Sequence, residues 1–124
     1  MSWSGTNVLI PDLSNSNTID RAIGRGRLNT ALIAAARPAD TTENNAAKAA
    51  AAYTGGGKDD WFLPSRDELN LMYQQRSHVG ITTGVFWSSS QGNINNTWAQ
   101  SFGNGSQASN AKNIGCNVRA IRAF

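Results

Sequence analysis

The chain has 124 residues, an apolar fraction of 40%, a charged fraction of 15% and a net charge of +3, so it fits one domain, 1–124, with enough apolar residues for a core. Its eight acidic residues all lie at or before Glu68, and only Arg76, Lys112, Arg119 and Arg122 follow as cations, so the C-terminal half is weakly basic and the balance is a poor match to the several clustered Lys/Arg of a nucleic-acid binder. The single Cys116 excludes an internal disulfide and a zinc cage of paired cysteines.

In chain order, Val8-Leu9-Ile10 before Pro11 reads as a short strand within an otherwise turn-rich start. Met1-Ser2-Trp3 does not begin as a secretory signal does, and the basic cluster Arg21, Arg25 and Arg27, with glycines between, reads as a solvated loop. Leu28 to Arg37 has a helix-compatible pattern that Pro38 stops. Ala46 to Tyr53 is alanine-rich and helical by propensity, capped by Thr41 or Thr42 and ended by Gly55-Gly56-Gly57. Ser65 followed by Glu68 is a capping box for a helix from Arg66 to about Gln75, with Leu69, Met72 and Tyr73 on one face. The pattern then turns to strands at Val85-Phe86-Trp87, Thr97 to Phe102 and Val118 to Ala123, with Gly103-Asn104-Gly105 as a hairpin turn. Helices first and strands after predict an α+β fold, its helices packed on a small, mainly antiparallel sheet. No apolar run approaches the roughly 18 residues of a membrane span.

The residues that carry chemistry are sparse. Gly55-Gly56-Gly57-Lys58 has Asp59 where a P-loop needs Ser or Thr, and Gly24-Arg25-Gly26 lacks a third glycine. His78, the one histidine, falls in a Ser77-to-Gly80 loop, and Cys116 sits among Gly and Asn without an activating neighbour. Asp59, Asp60, Asp67 and Glu68 lack the alternating spacing of a calcium loop and read as capping and loop-ordering groups. Of Trp61, Trp87, Trp98 and Phe102, at least two belong in the core. No catalytic residue, metal or cofactor is expected.

From Gly92 to Asn117 the chain uses Asn, Ser, Gly, Ala, Ile, Thr and Cys, interrupted by Trp98, Gln100, Phe102, Gln107 and Lys112. This composition does not concentrate the acids, bases and nucleophiles of an active site. It suits a displayed binding surface in which small side chains hang on a few fixed anchors. The ligand-facing positions of that surface are Gly92, Asn93, Ile94, Asn95, Asn96, Ala99, Ser101, Gly103, Ser106, Ala108, Ser109, Ala111, Asn113, Ile114, Gly115, Cys116 and Asn117. The scaffold beneath them is Trp61, Leu63, Pro64, Leu69, Trp87, Trp98 and Phe102.

The motif DWFLPSRDELNLMY at Asp60 to Tyr73, then FWSSS at Phe86 to Ser90, Trp98, Phe102, Gly105 and the terminal VRAIRAF, resembles a known group. It looks like the C-type-lectin-like domains related to the C-terminal domain of collagen-like bacterial adhesins, distantly similar to formylglycine-generating enzymes. Ile23-Gly24, Gly26, Asn29-Thr30, the alanine-rich helix and Gly55-Gly56 also fit, so the resemblance spans most of the chain. Within that group the Asn-studded ending is similar to the variable proteins of diversity-generating retroelements, in which adenines of Asn codons are mutated. Changing the first two adenines of an AAY codon reaches Ser, Gly, Ala, Thr, Ile and Cys but never Gln, Lys or Trp. The resemblance thus implies a hypervariable surface over about 92–117, with Cys116 as one draw. The enzyme branch of the group needs a reactive cysteine pair or copper-binding cysteines, which one Cys cannot supply, so the fold is carried over and that activity is not.

Three readings follow. The first is a diversified, non-catalytic module for a protein or glycan ligand on another cell or virus surface, displayed from a cell or phage particle, with neither nucleic acid nor membrane insertion involved. The second is a fixed adhesin or phage-tail-type domain using the same face without diversification. The third is an assembly role in which the segment packs on identical subunits; the sequence leaves the oligomeric state open.

Overall fold

The computed structural model describes residues 1–5 and 21–123; the strand expected at Val8-Leu9-Ile10 lies outside them. Among the described residues four α-helices, α1 Gly26–Ala36, α2 Ala46–Ala52, α3 Arg66–Gln74 and α4 Arg76–Val79, precede three strands, β1 Val85–Gln91, β2 Asn96–Ser101 and β3 Gln107–Ala111. The strands form one antiparallel sheet in the order β1-β2-β3. The architecture is therefore α+β, with the helices ahead of the strands in the chain.

Local chemistry sets the helix ends. Ser65 and Glu68 form a reciprocal capping box at α3, satisfying N–H groups that the first turn leaves unpaired. Glu68 does more than cap its own helix. Its carboxylate accepts from the backbone N–H of Ser65 at 2.8 Å, Gly26 at 3.0 Å and Gly24 at 3.2 Å, which ties the start of α1 to the start of α3. Helix α2 is capped by Asn45, whose Oδ1 accepts from Lys48 N at 3.1 Å, not by Thr41 or Thr42. Those threonines sit in the preceding turn, where Thr41 Oγ1 accepts from Glu43 N.

The sheet separates two apolar clusters. Directly opposed residues in an antiparallel pair share a face, so Trp87, Ala99 and Ala108 line one side and Phe86, Gln100 and Gln107 the other. On the Trp87 side, Trp3, Ile33, Ala46, Ala47, Ala50, Leu63 and Ala99 pack together between α1, α2 and β1. On the Phe86 side, Leu69, Met72, Ile81 and Phe102 form a smaller cluster against α3. Trp3 and Trp87 are fully buried; each large aromatic of this kind buries on the order of 200 Å², about 5 kcal/mol of gross stabilisation.

Three expectations need correction. Val118 to Ala123 is not a strand: among the described residues its backbone pairing, with that of Asn117 just before it, is limited to single bridges, Phe86 with Asn117 and Phe62 with Ile121. The Phe62 partner runs at once into Pro64, which has no N–H to extend a ladder. The third strand is instead Gln107–Ala111, whose short, small and polar side chains carry no strand signature. His78 lies exposed on the short helix α4, not in a loop. Among the described residues, no helix is long and apolar enough to cross a membrane.

Candidate functional site

The two recognisable motifs are docked on each other by buried serines. In β1, Ser88, Ser89 and Ser90 are all 0% exposed, at a point where the ladder register shifts between Trp87 and Gln91. Ser89 N–H donates to Pro64 O at 2.7 Å, and Ser90 Oγ accepts from Arg66 N at 2.9 Å. Ser88 Oγ donates to Trp98 O at 2.7 Å, and Ser88 O accepts from Trp3 Nε1 at 2.8 Å. Buried polar groups are in the large majority hydrogen-bonded in this way. The serines thus join the LPSR turn, β2 and the N-terminal segment in one network.

The residues that interrupt the 92–117 stretch face inward or are held. Gln100 is 0% exposed; its Nε2 donates to Asn70 Oδ1 at 2.9 Å and to Gly105 O at 3.1 Å. Gln107, half-buried, donates to Arg66 O at 3.1 Å and accepts from Arg66 Nε at 3.1 Å. The Arg66 guanidinium lies 3.7 Å from the Trp98 ring centre, a stacked cation–π contact. Phe102 is 1% exposed and packs edge-on to Tyr73. Gly105, at φ +81°, passes so close to Tyr73 that an added Cβ would lie 2.5 Å from the ring.

Lys112 is the least expected of these anchors. It is 0% exposed, donates to Gln91 Oε1 at 2.8 Å, and sits 4.7 Å from the Trp3 ring centre. Burial, helped by the charge of Arg37, pushes its ammonium pKa down to about 8, because desolvation disfavours the charged form. Its backbone N–H donates to Asn95 O and its carbonyl accepts from Trp3 N, both at 2.9 Å. The chain beneath the displayed end is thereby fixed on both sides.

The expected ligand-facing residues divide by exposure. Asn93, Ile94, Asn95, Gly103, Ser106, Ala108, Ser109, Asn113, Ile114, Gly115 and Asn117 are exposed, and Gly92, Asn96, Ser101, Ala111 and Cys116 are half-buried. Ala99 is an exception: at 3% exposure it packs in the cluster around Trp87 and belongs to the frame, since its side chain cannot reach a ligand. Of the expected scaffold, Leu63, Pro64, Leu69, Trp87 and Phe102 are buried, while Trp61 and Trp98 are half-buried.

The exposed positions do not form a single patch. Asn93 to Asn95, in the β1–β2 turn, lie beside Asn113 to Gly115, because the β2–β3 ladder ends there at Asn96 and Ala111. Gly103 and Ser106 lie at the opposite end of β3, and Ala108 and Ser109 on β3 point to opposite faces. Asn117 is set apart: it bridges β1 on the side away from β2. Some exposed positions also hold turns. Asn93 Oδ1 accepts from Asn95 N at 2.8 Å and Asn96 N at 2.9 Å, and Ser101 Oγ accepts from Gly103 N at 3.2 Å.

Elsewhere, Arg122 chelates the Asp60 carboxylate, and this hydrogen-bonded guanidinium holds the Asp60 pKa below its usual range. Burial pushes the Cys116 thiol pKa up, away from the thiolate a nucleophile needs. Cys116 packs on the Trp87-side cluster, and the helix carrying His78 packs through Val79 on the other. A groove of about 440 Å³ is lined by Ala49, Ala50, Tyr53, Trp61, Val118 and Arg119 among others, with no acid, histidine or cysteine in its wall. Among the described residues no group of three or more His, Cys, Asp or Glu is placed to hold a metal ion.

A search of curated proteins gave no match. The family profile of the Lcl C-terminal domain matches residues 10–122, a span that includes the capping box, the serine network, the buried anchors and every exposed position above. The chain belongs to the Lcl C-terminal domain family.

Proposed function

We propose that this chain is a recognition module with a C-type-lectin-like fold, whose 92–117 segment is a variable, non-catalytic display surface of the kind written by a diversity-generating retroelement. One observation carries the reading. The residues that adenine mutagenesis of Asn codons cannot make are the ones that are buried or bonded: Gln100 and Lys112 at 0% exposure, and Trp98 and Gln107 gripped by Arg66. The exposed positions carry only residues that such mutagenesis can make. Exchanges at exposed sites without special contacts change stability by about 0.5 kcal/mol or less. Many surfaces are therefore compatible with one frame, and that frame limits the ordering cost of binding. Membership of the Lcl C-terminal domain family agrees with an adhesin- or phage-type binding role.

Two measurements test this. The coding DNA is expected to carry AAY-derived codons at the exposed positions and a nearby adenine-retaining near-repeat. A library with NNY codons at Asn95, Ala108, Ser109, Asn113 and Ile114 is expected to stay folded and to yield binders to different protein or glycan targets. Loss of folding across that library would sink the display reading. Absence of the near-repeat leaves a fixed adhesin as the outcome.

A further inference from the structure

Among the described residues the outer edge of β3 is unpaired, and its backbone polarity can be read from the ladder. In the β2–β3 pair, Ser101 N–H donates to Ser106 O and Lys112 N–H to Asn95 O, both at 2.9 Å. Hydrogen-bonded pairs recur every second residue in an antiparallel ladder. Between those limits, Ala99 with Ala108 and Thr97 with Asn110 are therefore bonded pairs, while Gln100 with Gln107, Trp98 with Ser109 and Asn96 with Ala111 are not. The N–H and C=O of Gln107 and Ser109, and the N–H of Ala111, consequently point away from the sheet. The Ala111 carbonyl is already taken by Ile114 N–H at 3.2 Å. Among the described residues nothing pairs with this edge.

Proteins usually blunt such an edge with a lysine, a proline, a bulge or a covering loop. Strand β3 has none of the first three: its sequence is Gln-Ala-Ser-Asn-Ala, and its register against β2 is unbroken. We infer that the β3 edge receives an extended polypeptide segment of the bound partner as a fourth strand, hydrogen-bonded to the backbone of Gln107, Ser109 and Ala111. The inference rests on the display reading and specifies its partner class.

Outward groups recurring every second residue, about 6.8 Å apart, match the repeat of a β-strand. The side chains of β3 are uncharged and Lys112 is 0% exposed, so the fitting segment is itself uncharged. A second copy of this chain paired about Ser109 would join only five residues a side, against roughly 20–30 a side in a stable interface. A different partner can bring further surface onto the turns at Asn93–Asn95 and Asn113–Gly115. Backbone pairing then supplies affinity that survives exchange of the side chains, and Ala108, Ser109 and the turns set specificity.

The test uses linear 12-residue peptides selected on this chain from a random library. Ser109→Pro removes an outward N–H that the sheet does not use, as edge strands tolerate; its melting temperature is expected to stay near that of the parent. Peptide binding is expected to weaken at least tenfold in Ser109→Pro. Bound peptide is expected to slow amide exchange at Gln107, Ser109 and Ala111, with little change at Ala108 and Asn110. Undiminished binding to a folded Ser109→Pro overturns the inference, as does unchanged exchange at the three outward amides. Self-association lost in Ser109→Pro also overturns it, by assigning the edge to a second copy. If Ser109→Pro binds normally while Asn95→Ala or Asn113→Ala does not, strand addition fails and the display reading stands. If none of these variants affects binding, both fail.

Discussion

Replacing Gln100 by Ala separates frame from display most sharply. The side chain is fully buried and makes three amide contacts: donation to Asn70 Oδ1 at 2.9 Å and Gly105 O at 3.1 Å, and acceptance from Gln107 Nε2 at 3.4 Å. Truncation leaves those partners without Gln100. Each is only half-buried, so water recovers part of the loss, and about 1 kcal/mol per contact is the appropriate scale. The total is about 3 kcal/mol. A 124-residue domain has an unfolding entropy of about 0.26 kcal/mol/K, so the melting temperature is expected to fall by about 12 °C. Ala108→Ser and Asn113→Ser, at exposed positions of the same segment, are expected to shift it by at most about 2 °C, on the scale of ordinary surface substitutions. Calorimetry of the three variants at one pH measures the contrast. Equal shifts for buried and exposed substitutions, or a Gln100→Ala protein melting with its parent, would refute the division of roles.

Three further outcomes are expected. Lys112 has a folded pKa of about 8 against 10.5 for the free group, so between those values the unfolded chain binds more protons and stability rises with pH. The buried-charge penalty is fully present below pH 8 and is relieved by about 3 kcal/mol on going to about pH 10.5; denaturant titrations are expected to show this rise in the parent and not in Lys112→Met. Asp40 has a side chain only 4% exposed, and burial alone would raise its pKa. Hydrogen bonds from Gly5 N and Asn45, with the Arg37 ion pair, outweigh burial and lower it. Its contribution is therefore present above the unfolded value of 3.8 and lost as pH falls through the folded value, so Asp40→Asn should flatten the acid limb of a urea-midpoint-versus-pH curve. Glu68→Ala removes an acceptor shared by three backbone N–H groups and is expected to cost about 2–4 kcal/mol in denaturant melts, with Glu68→Gln milder because one carbonyl oxygen remains.

The parts of the fold legible in the sequence are those fixed by local chemistry. The Ser65–Glu68 capping box and the turn at Gly103 to Gly105 involve residues three or fewer apart, where side-chain type dictates the bond. The Asn45 cap is open to the same reasoning, since Asn is at least as good an N-cap as Thr and Asn45 directly precedes Ala46. Strand β3 was not legible. Its small polar residues acquire a strand conformation from pairing with β2 and not from their own preference. Conversely, Val118 to Ala123 has strand composition without a continuous partner. At the candidate site, composition alone marked Gln100, Gln107 and Lys112 as exceptions. Their targets, Asn70, Arg66 and Gln91, lie on other elements, and no local pattern announces contacts of that range. Ala99 shows the reverse failure: it is chemically interchangeable with Ala108, and only the register places it opposite Trp87 in the core.

The buried polar anchors clarify how a segment of such low apolar content keeps one register. A strand pair specified by a hydrophobic face slips when its small residues are exchanged, because register follows the buried side chains. Strand β2 presents Thr97, Ala99 and Gln100 as its buried residues, and two of the three are polar. Thr97 Oγ1 donates to Ser90 O at 2.7 Å and Gln100 bonds Asn70 and Gly105. A one-residue slip would leave those groups buried without partners, at about 1–3 kcal/mol each, whatever occupies the exposed positions. Directional hydrogen bonds thus fix the register more sharply than apolar packing among alanines and serines can. Exposed side chains that hold no turn, such as Ala108, Ser109 and Asn113, are relieved of any part in folding, and the outward backbone groups of Gln107 and Ser109 stay in one place when those side chains are exchanged.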